Sequence, residues 1–281
     1  MQDVHAQLES AGLLVDGVLE TDRLVRCRVD GDVGGKKSGW YVLHEFHLRN
    51  GGTVLTGRYG NWKRYGDEAL KVEFELPPLS EEEKAEFARR QAEQRMQSEQ
   101  EKQQRAADAA VRAERIFNKL PEMGASEYLK RKKVRAFGLR FSRGSVVVPV
   151  RNIGGDLVGL QFIDPQGGKK FLTGTAKRGC FHLIGEIDQA QPLAIAEGYA
   201  TGATVHMATS WPVVVAFDAG NLLPVAQALR AQFPDLQIIV SADNDAATDG
   251  NPGVTKATEA AQVVGGYLCV PDFSAMQAKA A

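Results

Sequence analysis

The sequence predicts an α/β fold: a parallel sheet with flanking helices, preceded by a basic hairpin subdomain, a long linker helix and a small N-terminal α+β module. Three observations carry that expectation. Between Pro192 and Asp272 short apolar runs alternate with helix-spaced segments, the pattern of right-handed βαβ units. Ahead of them two β-branched runs flank Gly154-Gly155, a hairpin signal. From Glu81 to Leu120 the chain is rich in Glu, Gln, Arg, Lys and Ala, with neither Pro nor Gly, and such residues are strong helix formers. The expected division is 1–79, 80–120, 121–190 and 191–281.

Residues 1–79 hold Trp40, Trp62, Tyr41, Tyr59 and Tyr65, interleaved with Lys36, Lys37, Arg58, Lys63 and Arg64. Aromatics beside Arg and Lys can stack on unpaired bases. They are equally the residues that fill the core of a small sheet, and both readings stand. Ser80-Glu81-Glu82-Glu83 reads as a capping box, with Ser at the cap and Glu three residues on. A helix of about forty residues from there would be roughly 60 Å long at 1.5 Å per residue. Its apolar residues are sparse: Ala85, Phe87, Ala92, Met96, then Ala106 onward. No heptad seam is sustained, so a solvent-exposed linker is expected, ended by Pro121.

From Ser145 the pattern is strand, Gly-Gly turn, strand, then a basic loop. Between Lys130 and Arg178 stand twelve basic residues, Arg135, Arg151, Lys169, Lys170, Lys177 and Arg178 among them, against two acids, Asp156 and Asp164. In a chain of net charge −1 that local bias points to a polyanion, with a solvated basic face as the plainer alternative. "LAIAE" (Leu193–Glu197), "VVVAFD" (Val213–Asp218), "LQIIVSAD" (Leu236–Asp243) and "YLCVPD" (Tyr267–Asp272) read as buried strands. Cys269 is thus expected to be buried and inert. The small residues of "GYATGATVHMA" suit a helix packed close to a sheet, and "LLPVAQALRAQF" has helical spacing. Asn251-Pro252 opens the last helix, as cap and first turn.

In an open parallel sheet, ligands bind outside the carboxyl ends of the strands. Glu197, Asp243 and Asp245 would then meet on one rim. Gathered carboxylates repel one another unless a cation sits between them, and hard oxygen ligands suit Mg²⁺. That points to metal-assisted chemistry on phosphates. Asp218 ends the second strand and either joins the metal ligands or, with Asn221, caps the next helix. Asp249 is either a further acid in the loop or, more plainly, a turn residue before Gly250. Lys256 lies in the first turn after Pro252, where it could reach a phosphate or remain a solvated surface lysine. His182 and His206 read as structural.

A Glu-Gly after the first strand and an Asp-x-Asp after the third resemble the signature of the Toprim domain, found in bacterial primases, topoisomerases and some nucleases. The resemblance implies that Glu197, Asp243 and Asp245 are the catalytic and metal-binding acids, with two Mg²⁺ or Mn²⁺ ions as cofactors. The hairpin and basic loop of Ser145–Glu186 resemble the region ahead of the Toprim sheet in bacterial-type primases, where they complete an RNA-polymerase active site. Tyr128–Asp272 is similar to primases encoded by plasmids, integrative elements and phages. "GWYVLHE" and "GRYGNWK" resemble the leading region of the same proteins. The implied activity is that of a DNA primase, a nucleotidyltransferase working on a single-stranded DNA template with nucleoside triphosphates. Lys169, Lys170, Lys177 and Arg178 would hold triphosphate or template, with Arg135, Arg151 and Lys256 as further nucleotide or DNA contacts. A replicative helicase or a single-strand-binding protein is a further candidate partner. The alternatives are a Toprim nuclease using the same acids on water, and a catalytically silent DNA-binding accessory.

Bacterial replicative primases begin with a zinc module. Here only Cys27, Cys180 and Cys269 occur, with no C-x-x-C pair, and His44 and His47 do not complete a recognisable set of four ligands. No structural zinc is expected. Neither a transmembrane run nor a secretory pattern is present. Three cysteines without a pairing pattern fit a reducing compartment, so a cytoplasmic location with no membrane partner is expected.

Overall fold

Strand-forming residues cluster at both ends of the chain and helix formers in its middle, and this segregation shapes the computed structural model. It describes residues 4–47, 53–66, 68–73, 81–244, 248 and 251–271, with backbone only at 46–47 and 81–83. The chain divides into two compact units, Met1–Ser98 and Glu99–Ala281.

The first unit contains α1 (Val4–Ser10), β1 (Leu13–Leu14), β2 (Leu24–Val29), β3 (Gly39–His47), β4 (Thr53–Asn61), one helical turn α2 (Trp62–Tyr65) and β5 (Leu70–Lys71). The strands pair antiparallel in chain order, β1-β2-β3-β4-β5. Alternate residues Cys27, Val29, Tyr41, Leu43 and Tyr59 join Leu8 of α1 and Leu13 in the core. Tyr41 and Tyr59 are therefore core residues, whereas Trp40 belongs to the opposite face. In the β2–β3 connection Asp32 is buried. Its carboxylate accepts the N–H groups of Ser38 and Val29 and the Ser38 hydroxyl, and it meets Lys63 Nζ at 2.9 Å. These donors, the Ser38 N–H foremost, hold it well below the usual carboxylate range.

The unit boundary falls inside α3 (Glu81–Lys119). Ser80, the expected cap, lies outside the described residues. The expectation of a helix exposed throughout needs correction. Ala109, Ala113 and Phe117 recur every fourth residue and are buried. Ala113 and Phe117 pack on Val147 and Leu160 of the hairpin strands. Arg112 donates to the Thr173 carbonyl at 2.7 Å, and a Cβ at Gly174 would come within 2.8 Å of the Arg105 carbonyl oxygen. Alanines at this spacing make a low stripe on one helix face, and the sheet and its loop close onto it.

Next come α4 (Glu127–Lys132) and strands β6 (Arg140–Ser142), β7 (Ser145–Arg151), β8 (Leu157–Ile163) and β9 (Lys169–Phe171), an antiparallel sheet in chain order. Both faces of β7 are covered: Val147 meets α3, while Val146, Val148 and Val150 join a core shared with the second sheet. That sheet comprises β10 (His182–Ile184), β11 (Leu193–Ala196), β12 (Val213–Val215), β13 (Ile238–Ser241) and β14 (Tyr267–Cys269) in the order β10-β12-β11-β13-β14. β10 runs antiparallel and the rest are parallel. Helices α5 (Tyr199–Thr209), α6 (Leu222–Gln232) and α7 (Pro252–Val263) make the crossovers. Ala194, Ala196, Val213 and Val215 pack toward α5 and the hairpin sheet; Leu193, Ile195, Val214, Ile238 and Val240 pack toward α6 and α7. At Gly202 of α5 a Cβ would meet Val215 at 2.9 Å, so that glycine permits the close helix–sheet approach.

Cys269 is exposed, not buried. β14 is an edge strand with all three residues exposed, so its apolar run has a neighbour on one side only. Asn251 stands at the N-cap of α7 in a left-handed conformation, and its side chain makes no cap hydrogen bond. It donates instead to Asn244 Oδ1 at 2.9 Å. Among the described residues no helix is long and apolar enough to cross a membrane.

Candidate active site

Strand order decides which acids become neighbours. β11 is central, flanked by β12 and β13, and Ala196 is in register with both Val215 and Ser241. Glu197 follows Ala196 directly, Asp243 follows Ser241 by two residues, and Asp218 follows Val215 by three. Three carboxylates thus leave the carboxyl ends of three adjacent strands, each about 4.8 Å from the next. Asp245 and Asp249 lie outside the described residues. Among the described residues no three acidic, His or Cys side chains close around a common point. The donors on this rim are all carboxylate oxygens, which suit a hard divalent cation.

Two contacts hold Asp243. Thr201, in the first turn of α5, donates its hydroxyl to Asp243 Oδ1 at 3.1 Å, linking the Glu-Gly turn to the third strand end. A Cβ at Gly253 would come within 2.3 Å of the Asp243 carbonyl oxygen, so glycine lets the start of α7 seat on that backbone.

The basic segment reaches the same rim. A Cβ at Gly198 would find Lys169 Nζ at 3.4 Å, which puts the ammonium against the Glu-Gly turn. Neighbouring residues of a strand point to opposite faces. Phe171 accompanies Lys169 and meets Phe217 edge-on, 5.6 Å between centroids, while Lys170 leaves on the other side. Lys177 Nζ lies 2.5 Å from Asp218 Oδ2. Phe217, just before Asp218, is buried at φ +75°, a conformation a bulky residue keeps only when its surroundings hold it.

Capping by Asp218 and Asn221, one of the two readings of this corner, is not what the structure shows. Asn221 makes no side-chain cap hydrogen bond, and neither does Asp218. The buried Asn221 amide donates to the carbonyls of Lys177, Cys180 and Ala216 at 3.1, 2.9 and 2.9 Å, and its oxygen accepts the Gly179 N–H at 2.8 Å. It fastens the basic loop to the end of the sheet. The buried Tyr199 does the same for the preceding segment. Its hydroxyl accepts from the Phe137 N–H at 2.7 Å and donates to the Arg135 carbonyl at 2.9 Å, and burial pushes its phenol up. His182 Nε2 bonds the Phe137 carbonyl at 2.9 Å, and burial pushes its pKa down to about 4.

The other expected contacts lie elsewhere. The Arg151 guanidinium donates to Gly155 O at 2.8 Å within its own hairpin. It also lines an open cleft of about 560 Å³ with Phe117, Glu122, Arg140 and His182. Lys256 pairs with Glu259 at 2.9 Å along α7. Arg135 and Arg178 are exposed. Thr201 was missed, as was the bridging role of Asn221; their signal was only polarity beside a strand end.

Residues 192–270 match the family description "Toprim domain", and this part of the chain is a Toprim domain. The chain is 37% identical over 268 residues to a DNA primase TraC of Escherichia coli, across 89% of this chain and 24% of that protein. A second DNA primase TraC of Escherichia coli is 34% identical over 288 residues, across 95% and 19%. The chain spans about a quarter or less of the length of these curated relatives. Among solved structures it is similar to the primase fragment of the Bacteriophage T7 primase-helicase protein, at 21% identity and a TM-score of 0.37, covering 52% of this chain and 60% of that one.

Proposed function

We propose that the chain is the catalytic core of a DNA primase, making short primers on single-stranded DNA from nucleoside triphosphates. One observation carries the reading: the basic hairpin and the acidic strand ends share one rim, with Lys169 against Gly198 and Lys177 on Asp218. Cations beside the acids can hold a triphosphate in place while its α-phosphorus is attacked. Similarity to proteins named DNA primase agrees with it.

Glu197, Asp243 and Asp245 are the residues to hold Mg²⁺ or Mn²⁺, with Asp218 available once Lys177 turns to a phosphate. Such ions, when bound, lower the pKa of the attacking hydroxyl and neutralise the leaving group. In the reaction the primer 3′-oxygen bonds the α-phosphorus, the bond to pyrophosphate breaks, and the hydroxyl proton is lost. Glu197 is the candidate acceptor of that proton if it does not hold metal. Lys169 and Lys177 bind triphosphate oxygens, and Asn221 and Tyr199 keep the basic segments in place.

The test incubates the full chain with single-stranded DNA, labelled nucleotides and Mg²⁺ or Mn²⁺. New oligonucleotides are expected. Shortened DNA would make it a nuclease, and an unchanged mixture would leave the rim without activity; either overturns the proposal.

A further inference from the structure

The outward face of the N-terminal sheet takes no part in that chemistry. Its residues follow from register: Arg26 pairs with Trp40 and Trp40 with Gly60, while Leu24, Val42, Arg58 and Lys71 align across the next row. Gly60 has a specific consequence. A Cβ there would come within 2.5 Å of Trp40 Nε1, so only glycine lets the indole lie across β4. The Trp62 ring follows, 6.1 Å from that of Trp40 and tilted by 39°. The Arg26 guanidinium stacks over Trp62 at 4.1 Å from its centroid, steadied by donation to the Lys37 carbonyl at 2.7 Å. Two indoles and a guanidinium plane therefore form one half-exposed π surface.

Cations ring this surface. Arg28, Arg58 and Lys71 are exposed, as are Lys36 and Lys37 in the adjoining turn. None of the described residues at these register positions is acidic. Of the nearby carboxylates, Asp22 is bonded to His44 Nδ1 at 2.9 Å and the buried Asp32 is matched by Lys63, while Asp30 and Glu73 are exposed at the margin and Arg28 donates to the Asp32 carbonyl at 3.1 Å. A tryptophan over a glycine is also a device for stabilising a sheet. That accounts for Trp40 and Gly60, but not for an arginine stacked on a second tryptophan among exposed cations.

Planar groups in a row, ringed by positive charge, fit unpaired bases joined by phosphates. Bases stack on aromatic and Arg planes without sequence preference, and Arg and Lys take the backbone. We propose that this face is a binding site for single-stranded DNA, distinct from the acidic rim. Bases stack on Trp40 and Trp62, and Arg28, Arg58 and Lys71 hold phosphates. The site deepens the primase reading by locating template contact, yet its binding needs no catalysis.

The experiment titrates the full chain, in a Trp211→Phe background, with an oligothymidylate of about 12 nucleotides and reads tryptophan fluorescence. Saturable quenching that weakens with salt is expected. Trp40→Ala and Trp62→Ala should each weaken binding roughly 5- to 100-fold. Trp40→Phe and Trp62→Phe, which keep a ring, should retain most of it. The exposed pair Arg58→Glu and Lys71→Glu should weaken binding and flatten its salt dependence with the melting temperature unchanged. Asp243→Asn should quench as the parent does, so lost synthesis would speak to the rim alone. Absent quenching, wild-type affinity in the charge-reversed pair, or quenching by an acidic peptide but not by DNA would each overturn the proposal.

Discussion

The first and last sheets along this chain dispose of their faces in opposite ways. In the Toprim sheet every residue from Leu193 to Ala196 is buried, because crossover helices cover one face and helix plus hairpin cover the other. Along β11 the carboxyl end is what remains for polar chemistry. In the N-terminal sheet the strands pair antiparallel in chain order, α1 packs on one face, and β2 alternates exposed Arg26 and Arg28 with buried Cys27 and Val29. The alternate residues of β2 therefore stay exposed on the other face. Parallel strands need crossovers that cover faces, whereas antiparallel strands do not. Connectivity thus sets whether polar groups gather at an edge or spread across a surface.

The strongest way to break the comparison is to remove charge from the rim. Asp243→Asn and Asp245→Asn should each cut primer synthesis roughly 100-fold or more, since changing even a residue that only hydrogen-bonds to a metal ligand costs about 10–100-fold. Oligothymidylate binding at the N-terminal face should survive. Asparagine keeps the Oδ1 that accepts from Thr201, so folding should be preserved. Synthesis near the parental rate in both variants would dismiss the acid rim.

Covered faces should also be sensitive to truncation. Phe117→Ala removes the ring that α3 lays on Val147 and Leu160 and should cost about 3–5 kcal/mol in urea unfolding. A fragment starting near Glu99 should melt cooperatively, while one starting at Pro121 should aggregate. Equal stability of the two fragments would show that α3 is a linker after all.

Acid should separate the two units. Burial lowers the His182 pKa to about 4, so between there and about 6.5 the unfolded chain binds more protons than the folded one. Stability from this group is complete above that window and falls as pH drops through it, by about 3 kcal/mol at most. Asp32 in the first unit, held below its ordinary value by the Ser38 N–H, contributes above the ordinary carboxylate pKa and loses its contribution only in stronger acid. Thermal melts should show the second unit weakening first. His182→Gln should flatten that slope.

The smallest effect concerns two neighbouring lysines. Lys169→Ala and Lys170→Ala should each reduce the salt slope of single-strand binding by about 0.7, if each contacts one phosphate. Lys169→Ala should lower synthesis further, because only Lys169 lies against Gly198. Equal losses in synthesis would mean that strand alternation does not separate their roles.

The rim acids were legible because each ends or closely follows an apolar run. Hairpin, long helix and crossovers were legible for a similar reason: their signals lie within a dozen or so neighbouring residues. The pairing of Lys177 with Asp218 was not, since 41 positions separate them. Asn221 looked like a cap because polar residues before helices usually are. The burial of Ala109, Ala113 and Phe117 was masked by the weak hydrophobicity of alanine, and the exposure of Cys269 by an edge strand that has the composition of an inner one.

By itself the sequence determined the order of elements, the polarity of the parallel strands, the carboxylates at their ends and the excess of base before them, because periodicity and turn chemistry act over short spans of chain. Tertiary structure alone decided that β11 lies between β12 and β13, that Lys169 rather than Lys170 faces the Glu-Gly turn, and that Trp40 crosses Gly60 on an open face. Those outcomes depend on strand order, register and which face is covered, and these arise from packing between segments far apart in the chain.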